Sequence, residues 1–173
     1  MSVTDEYLKN NAAYSLTYHG PLPVRPSRHL AVVACMDSRL KIFGLLGMGD
    51  GESHVIRNAG GVVTDDVIRS LAISQRKLGT TEIILIHHTD CGLLTVTEES
   101  FKRDIQNETG VRPPWAVEAF TDVYEDVRQS IARIEASPFI PHKDRVRGFV
   151  FDVATGRLNE VGQAAGPVRS TGI

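Results

Sequence analysis

The chain has 173 residues, of which 42% are apolar and 23% charged, a composition typical of a soluble globular domain. Its formal net charge of −2 gives no electrostatic reason to expect nucleic acid or a membrane surface as a partner. No apolar run approaches the ~20 residues of a membrane span, and the N-terminal residues are acidic and polar, unlike a secretory signal. We therefore expect one cytoplasmic domain over residues 1–173.

The two ends of the chain are predicted to lie outside the central fold. Residues 7–16 have a short amphipathic helical pattern, and a proline-rich stretch follows at 21–26. We assign residues 1–28 to an N-terminal arm that leads away from the first strand. Residues 163–173 are small and polar, so we expect a loose tail.

The first half of the central region alternates strands and helices. The apolar runs 30–35 and 82–87 are typical of strands buried on both faces, and a shorter strand is predicted at 55–56. Between the strands at 55–56 and 82–87, a helix is predicted to begin at Thr64, a capping residue, and to end at Gly79. A strand–helix–strand order favours a parallel sheet with right-handed connections.

The second half predicts a longer helix and a hairpin. The helix covers about 116–136, with one apolar stripe toward the core and a charged side toward solvent. The stripe consists of Phe120, Tyr124, Val127, Ile131 and Ile134, and the charged side of Glu118, Asp122, Glu125, Asp126 and Arg133. Residues 146–153 and 158–161 form the hairpin. The predicted fold class is α/β, with a mainly parallel central sheet flanked by helices, an N-terminal helical arm and a C-terminal hairpin.

Potential metal ligands follow both buried strands. The run Cys-Met-Asp-Ser-Arg occupies positions 35–39, and His88-Thr-Asp-Cys91 ends the second strand. In open α/β sheets, ligands bind at the carboxyl ends of the strands, where neighbouring strands bring such residues together. Cys35 and Cys91 are the two cysteines of the chain, and His88 adds an imidazole. Three protein ligands with a fourth position for water are typical of a catalytic zinc site.

Each of these residues also has an ordinary structural explanation. A free cysteine is often a small buried hydrophobe, and His88 could be a core histidine. The presence of Asp37 and Arg39 beside Cys35 argues against that explanation for the whole set, although the two could form a simple loop salt bridge. A further alternative is a closed structural or redox-sensing zinc site with Asp37 as the fourth ligand.

Three motifs in combination resemble the β-class carbonic anhydrases. They are Cys-x-Asp-Ser-Arg at 35–39, Val-Ile-Arg-Asn-Ala-Gly at 55–60 and His-x-x-Cys-Gly at 88–92. Their spacing along the strand–helix–strand unit also matches that family. The similarity is strong from 30 to 92 and looser as far as the hairpin at 152–156.

The resemblance implies a chemistry for these residues. One Zn²⁺ ion per chain would be bound by Cys35, His88 and Cys91, and zinc-bound hydroxide would reversibly hydrate carbon dioxide to bicarbonate and a proton. Asp37 would accept the proton of that hydroxide in a hydrogen bond, and Arg39 would keep Asp37 ionised and oriented.

The resemblance also implies a substrate pocket. Gly92 matches a family glycine whose backbone N–H faces the substrate oxygen; otherwise it is a turn glycine. Independently of the resemblance, Gly60 and Gly61 either form a simple turn into the helix at Thr64 or bring backbone donors close to a small anion. His54 stands where plant-type members have phenylalanine, so the pocket wall would carry an imidazole. Pro26 stands where those enzymes have a glutamine that donates to substrate.

The substrate and the assembly are less closely specified. Compact relatives of the family hydrolyse carbonyl sulfide or carbon disulfide, linear molecules like carbon dioxide, and this short chain resembles that branch too. The resemblance implies a two-fold homodimer with zinc near the interface, and two such dimers could pair into a tetramer. Because an isolated helix as short as 7–16 is marginal in water, we expect the arm to pack across a neighbouring subunit.

Overall fold

The sheet predicted from the sequence is present in the computed structural model, which describes residues 2–162. Its strands are β1 (Leu30–Cys35), β2 (Ser53–Asn58), β3 (Glu82–His88), β4 (Val146–Phe151) and β5 (Leu158–Val161). They are arranged in the order β2–β1–β3–β4–β5, parallel except for the antiparallel pair β4–β5. The mainly parallel sheet and the hairpin are thus confirmed. The tail expected at 163–173 lies outside the described residues, and the single domain stays a prediction.

Residues 2–162 contain five α-helices, and the sequence predicted the first, third and fifth of them. They are α1 (Val3–Ser15), α2 (Ile42–Leu46), α3 (Asp65–Leu78), α4 (Glu98–Thr109) and α5 (Val123–Ala136). The predicted ends of α3 are confirmed, because the Thr64 side chain accepts a hydrogen bond from the N–H of Val67 and Gly79 ends the helix in the left-handed conformation. The apolar pattern missed α4, which has no buried residue. No helix within 2–162 is long and apolar enough to cross a membrane.

The predicted start of the longer helix at 116 is wrong. The helix α5 begins at Val123, because the carboxylate of Asp122 accepts the backbone N–H groups of Tyr124 (2.8 Å) and Glu125 (3.2 Å) and caps the first turn. The preceding segment, which contains Pro113 and Pro114, is not helical.

The charged side of α5 also differs from the prediction at one residue. Asp126, expected in solvent, is buried, and one of its carboxylate oxygens lies 2.7 Å from Nε2 of His87 on β3. The charge pattern of α5 gave no sign of this contact, because its partner lies on a different element. A buried carboxylate needs such a partner to offset its desolvation.

Both faces of the sheet carry apolar residues, but they are covered unequally. One face packs against α3 and α5, with a core that includes Val33, Leu71, Leu85, Val127, Ile131 and Val150. The other face has a smaller core around Val32, Ala34, Leu40, Ile42 and Ile86, to which α2 contributes. Several apolar residues packed against this second core are only partly buried, among them Leu30, Val55, Ile84, Phe151 and Leu158.

A glycine turn after β2 presses against the carboxyl ends of β1 and β3. Gly61 has a φ of +75°, and a Cβ there would lie 2.7 Å from the backbone N of Cys35 and 3.1 Å from the carbonyl O of Ile86. A residue with a side chain would push the turn away from the strands. The turn therefore fixes the backbone at the edge where the candidate ligands lie.

Gly148 permits a similarly close contact between α5 and β4. A Cβ there would overlap Cγ1 of Val127 and lie 3.0 Å from Cδ1 of Ile131. Gly148→Ala should lower the free energy of unfolding by about 1–3 kcal/mol, the usual cost of overpacking, as measured by chemical denaturation. Gly44→Ala is the control, because no atom lies within 4 Å of the added Cβ. Equal stability of Gly148→Ala and the wild type would contradict this packing.

Candidate metal site

The carboxyl ends of β1 and β3 bring together the three residues predicted as metal ligands. Cys35 ends β1, His88 ends β3, and a tight turn places Cys91 beside them. One ligand atom from each residue lies within 4.8 Å of the other two, and all three residues are buried. This separation is compatible with one ion at the centre, since zinc–sulfur and zinc–nitrogen bonds are about 2.0–2.3 Å long.

The imidazole of His88 is oriented for coordination. Its Nδ1 lies 2.9 Å from the carbonyl O of Thr89, and a carbonyl oxygen can only accept, so Nδ1 carries the proton. The lone pair of Nε2 is therefore directed toward the two thiols. Nε2 is buried and has no hydrogen-bond partner, which is unusual for an interior polar atom unless it binds a metal.

The two thiols share one proton. A hydrogen bond from the Cys91 thiol, with a smaller contribution from the backbone N–H of Asp37, lowers the pKa of Cys35 against the effect of burial. The same shared proton, together with burial, raises the pKa of Cys91. Zn²⁺ binds cysteine as thiolate, so both thiol protons would leave when the ion occupies the site. Two sulfur donors and one imidazole suit Zn²⁺.

A carboxylate–arginine pair lies at the edge of this cluster. Oδ2 of Asp37 is 3.7 Å from Nε2 of His88. Arg39 donates to Asp37 from its backbone N–H (2.8 Å to Oδ1), from Nε (3.0 Å to Oδ1) and from Nη2 (2.8 Å to Oδ2). The side-chain hydrogen bonds of Arg39, and then its backbone N–H, hold the pKa of Asp37 well below its usual range. Asp37 is therefore ionised at neutral pH and acts only as an acceptor.

Two charged residues that the sequence analysis did not single out support this arrangement. Arg57 donates to the carbonyl O of Cys35 (2.8 Å) and to that of Asp37 (2.7 Å), which fixes the backbone on both sides of Met36. Asp90 accepts from Nη1 of Arg39 through its carboxylate (2.8 Å) and from Nη2 through its carbonyl O (2.9 Å). Arg57 lies in the motif at 55–60 and Asp90 in the motif at 88–92. Their place in these motifs was the one sign in the sequence that they belong to the site.

An apolar cavity lies next to the ligands. Its volume is ≈ 600 Å³, and Met36 and Gly92, which each directly follow a cysteine ligand, form part of its wall. Its apolar lining includes Ile56, Leu93, Val96, Phe101, Trp115 and Val117. Gly92 is exposed, and within residues 2–162 no atom beyond those of its chain neighbours lies within 4 Å of its Cβ position. Gly60 is buried, with a φ of +78°, and a Cβ there would lie 2.6 Å from Cδ1 of Leu93.

His54 does not reach this site within one chain, and its place in the pocket wall stays a prediction. It pairs in register with Ala31, four residues before the end of β2, which places it roughly 13 Å from the carboxyl edge at ~3.3 Å per residue. Its Nδ1 instead lies 2.8 Å from Oγ of Ser74 on α3. Pro26 is buried and precedes the amino end of β1, at the opposite edge of the sheet.

The chain has an open, mainly parallel sheet with two thiols and an imidazole at its carboxyl edge. These features place it among the α/β proteins that can bind a metal ion at the carboxyl edge of the sheet. Within that class, a family model described as carbonic anhydrase matches residues 30–138. The chain is 65% identical to β-carbonic anhydrase 1 of Mycobacterium tuberculosis over 161 residues, which cover 93% of this chain and 99% of the relative. The chain therefore belongs to the carbonic anhydrase family, among its β-class members.

Two further comparisons describe the range of the family around this chain. The crystal structure of a carbonic anhydrase from Streptococcus mutans has a TM-score of 0.87 and 45% identity, covering 94% of this chain and 99% of that one. A carbon disulfide hydrolase of Acidithiobacillus thiooxidans is 34% identical and covers 76% of each chain. Proteins named carbonic anhydrase and carbon disulfide hydrolase thus both occur among the relatives.

Removal of a single ligand should abolish metal binding. Cys35→Ala, His88→Ala and Cys91→Ala should each lose the zinc, about one ion per wild-type chain, because two remaining donors cannot hold it against water. Metal analysis of the purified proteins measures this loss. The control is His142→Ala, whose imidazole is exposed and outside the cluster. Full zinc occupancy in the Cys35→Ala protein would remove the site.

Proposed function

We propose that this chain is a zinc-dependent carbonic anhydrase that reversibly hydrates carbon dioxide to bicarbonate and a proton. The observation that carries the proposal is the cluster of Cys35, His88 and Cys91 with an ionised Asp37 3.7 Å from the imidazole nitrogen. The 65% identity to a relative named β-carbonic anhydrase 1 supports it.

The protein residues have separate roles in this proposal. A zinc ion held by Cys35, His88 and Cys91 would lower the pKa of a coordinated water toward neutrality and so supply hydroxide. Asp37 accepts a hydrogen bond from the attacking oxygen and directs its lone pair toward the substrate carbon. Arg39 keeps the carboxylate ionised and fixes its direction, because three of its N–H groups bind the two Asp37 oxygens.

The cavity suits a small apolar substrate. Carbon dioxide is linear and has no net dipole, so an apolar wall costs it little solvation on entry. We assign to the backbone N–H of Gly92 the contact with a substrate oxygen, since Gly92 borders the cavity and is accessible. Gly60 contributes to substrate binding mainly through the room that it leaves for Leu93.

The second candidate is hydrolysis of carbonyl sulfide or carbon disulfide by the same attack. The relative named carbon disulfide hydrolase and the apolar cavity favour it, because the sulfur analogues are larger and more polarisable than carbon dioxide. The lower identity of that relative, 34% against 65%, makes it the less favoured candidate. A closed, non-catalytic zinc site is disfavoured because Asp37 would have to leave Arg39 to become a ligand.

A parallel assay of both gases tests the assignment. We expect fast carbon dioxide hydration by stopped flow and little sulfide release from carbonyl sulfide or carbon disulfide.

Asp37→Asn should keep its zinc, but its carbon dioxide turnover should fall ~10²–10⁴-fold, because the amide keeps the shape and loses the charge that orients the attacking oxygen.

A matched control for Asp37→Asn is Asp152→Asn. The carboxylate of Asp152 also bonds within its own turn, to the Thr155 hydroxyl (2.8 Å) and the N–H of Ala154 (2.9 Å), but it takes no part in the ligand cluster. Its turnover should match that of the wild type. Unchanged turnover in Asp37→Asn would reduce the pair with Arg39 to a structural contact, and sulfide release without carbon dioxide hydration would reverse the order of the two candidates.

We also propose that the enzyme is a homodimer, or a tetramer made of two such dimers, in the cytoplasm. Every residue from 2 to 20 is exposed, including Tyr7, Tyr14 and Leu16, so no residue of the arm's helix is buried against its own domain. The partly buried apolar residues on the second sheet face offer a neighbouring arm a surface to cover. Both cysteines are free, and free thiols persist in reducing compartments.

Deletion of residues 1–20 should weaken both assembly and activity, because the apolar side chains of the arm would no longer cover a neighbouring subunit. Light scattering and the carbon dioxide assay measure the two effects. A full-length chain with Tyr14→Ser and Leu16→Ser tests the apolar contact without shortening the chain. A fully active monomer at micromolar concentration would contradict the dimer.

A further inference from the structure

The guanidinium group of Arg39 is held from two sides. Nε and Nη2 face the carboxylate of Asp37, while Nη1 donates to Oδ2 of Asp90 (2.8 Å) and Nη2 also donates to the carbonyl O of Asp90 (2.9 Å). All its N–H-bearing nitrogens therefore have an acceptor. A planar guanidinium fixed along two edges can adopt only one orientation.

Asp37 alone would not give this restraint. Asp37 and Arg39 are two residues apart on the loop after β1, so a contact between them does not tie that loop to any other element. The contacts to Asp90 span 51 residues of sequence and tie the loop after β1 to the loop after β3. The side chain of Arg39 is 45% exposed, so without Asp90 little else would prevent it from turning into solvent.

Asp90 is also joined directly to the candidate ligands. It stands between Thr89, whose carbonyl accepts from His88, and Cys91. Its φ is +56°, a conformation that aspartate and asparagine tolerate and that glycine adopts without strain. Glycine at position 90 would fit the turn equally well. The backbone conformation therefore does not explain why this position carries a carboxylate.

We propose that Asp90 is a positioning residue, whose carboxylate orients Arg39 and, through Arg39, the catalytic carboxylate of Asp37. Its effect on turnover rests on the proposed function, whereas the anchoring of Arg39 does not. Asp90 thereby couples the direction of the Asp37 carboxylate to the loop that carries His88 and Cys91.

Three variants separate the carboxylate from the turn. Asp90→Gly keeps the backbone conformation and the carbonyl O but removes the carboxylate, and it should lower kcat/KM for carbon dioxide hydration about 10-fold at unchanged zinc content. Asp90→Asn keeps an acceptor oxygen for Nη1 and should lose less. Glu160→Gln is the control. The carboxylate of Glu160 on β5 is bound by Arg147 on β4 (2.7 Å), and the activity of this variant should be unchanged.

A double-mutant cycle identifies the route of the effect. If Asp90 acts through Arg39, Asp90→Gly should cause no further loss in a protein that already carries Arg39→Ala. A purely structural role for Asp90 would lower activity by the same factor with or without Arg39. That result, or wild-type kcat/KM in Asp90→Gly, would overturn the proposal.

A measurement without substrate distinguishes a failure of this proposal from a failure of the proposed function. In ¹⁵N-labelled full-length protein, the Nε–H resonance of Arg39, identified by its absence in Arg39→Lys, should exchange faster with water in Asp90→Gly than in the wild type or Glu160→Gln. Unchanged exchange in Asp90→Gly would refute the anchoring, whatever gas the enzyme hydrates. Faster exchange in a protein without carbon dioxide hydration would support the anchoring and overturn the function instead.

Discussion

The parallel pairing of β1 with β3 is the constraint on which the rest of the site depends. It places the ends of the two strands side by side, so that a thiol from one and an imidazole from the other enter the same small volume. Neither strand could move along the other without separating Cys35 from His88. The glycine turn at Gly61, which touches both strand ends, limits this freedom further. The chemistry is thus a property of strand register before it is a property of any one side chain.

The site is also layered by charge and exposure. The three candidate ligands are buried, Asp37 is at their edge with 20% of its side chain exposed, and Arg39 and Asp90 are progressively more exposed, at 45% and 77%. The negative carboxylate of Asp37 is tolerated close to the cluster because the guanidinium group of Arg39 contacts it. The arginine in turn is held by Asp90, so the contacts run from the buried cluster out to a residue that water can reach.

The sequence predicted what local patterns determine. Continuous apolar runs gave β1 and β3, and the capping residue Thr64 with Gly79 gave both ends of α3, because those signals lie within the element itself. The start of α5 was misjudged because the apolar spacing continues upstream to Phe120, whereas the capping by Asp122 decides where the helix begins. The positions of Arg57 and Asp90 in the quoted motifs were visible, but their partners were not, because contacts across 20 to 51 residues depend on the fold.

The two adjacent histidines of β3 show what register means for this protein. Neighbouring residues of a strand point to opposite faces, so His88 faces the thiols while His87 meets Asp126 on α5. A slip of β3 by one residue would offer the thiols an imidazole again, from the wrong histidine and with Cys91 out of place. It would also leave the buried carboxylate of Asp126 without its donor. The hydrogen bond between His87 and Asp126 thus raises the free energy of the misaligned strand. It thereby determines which of the two adjacent histidines faces the thiols.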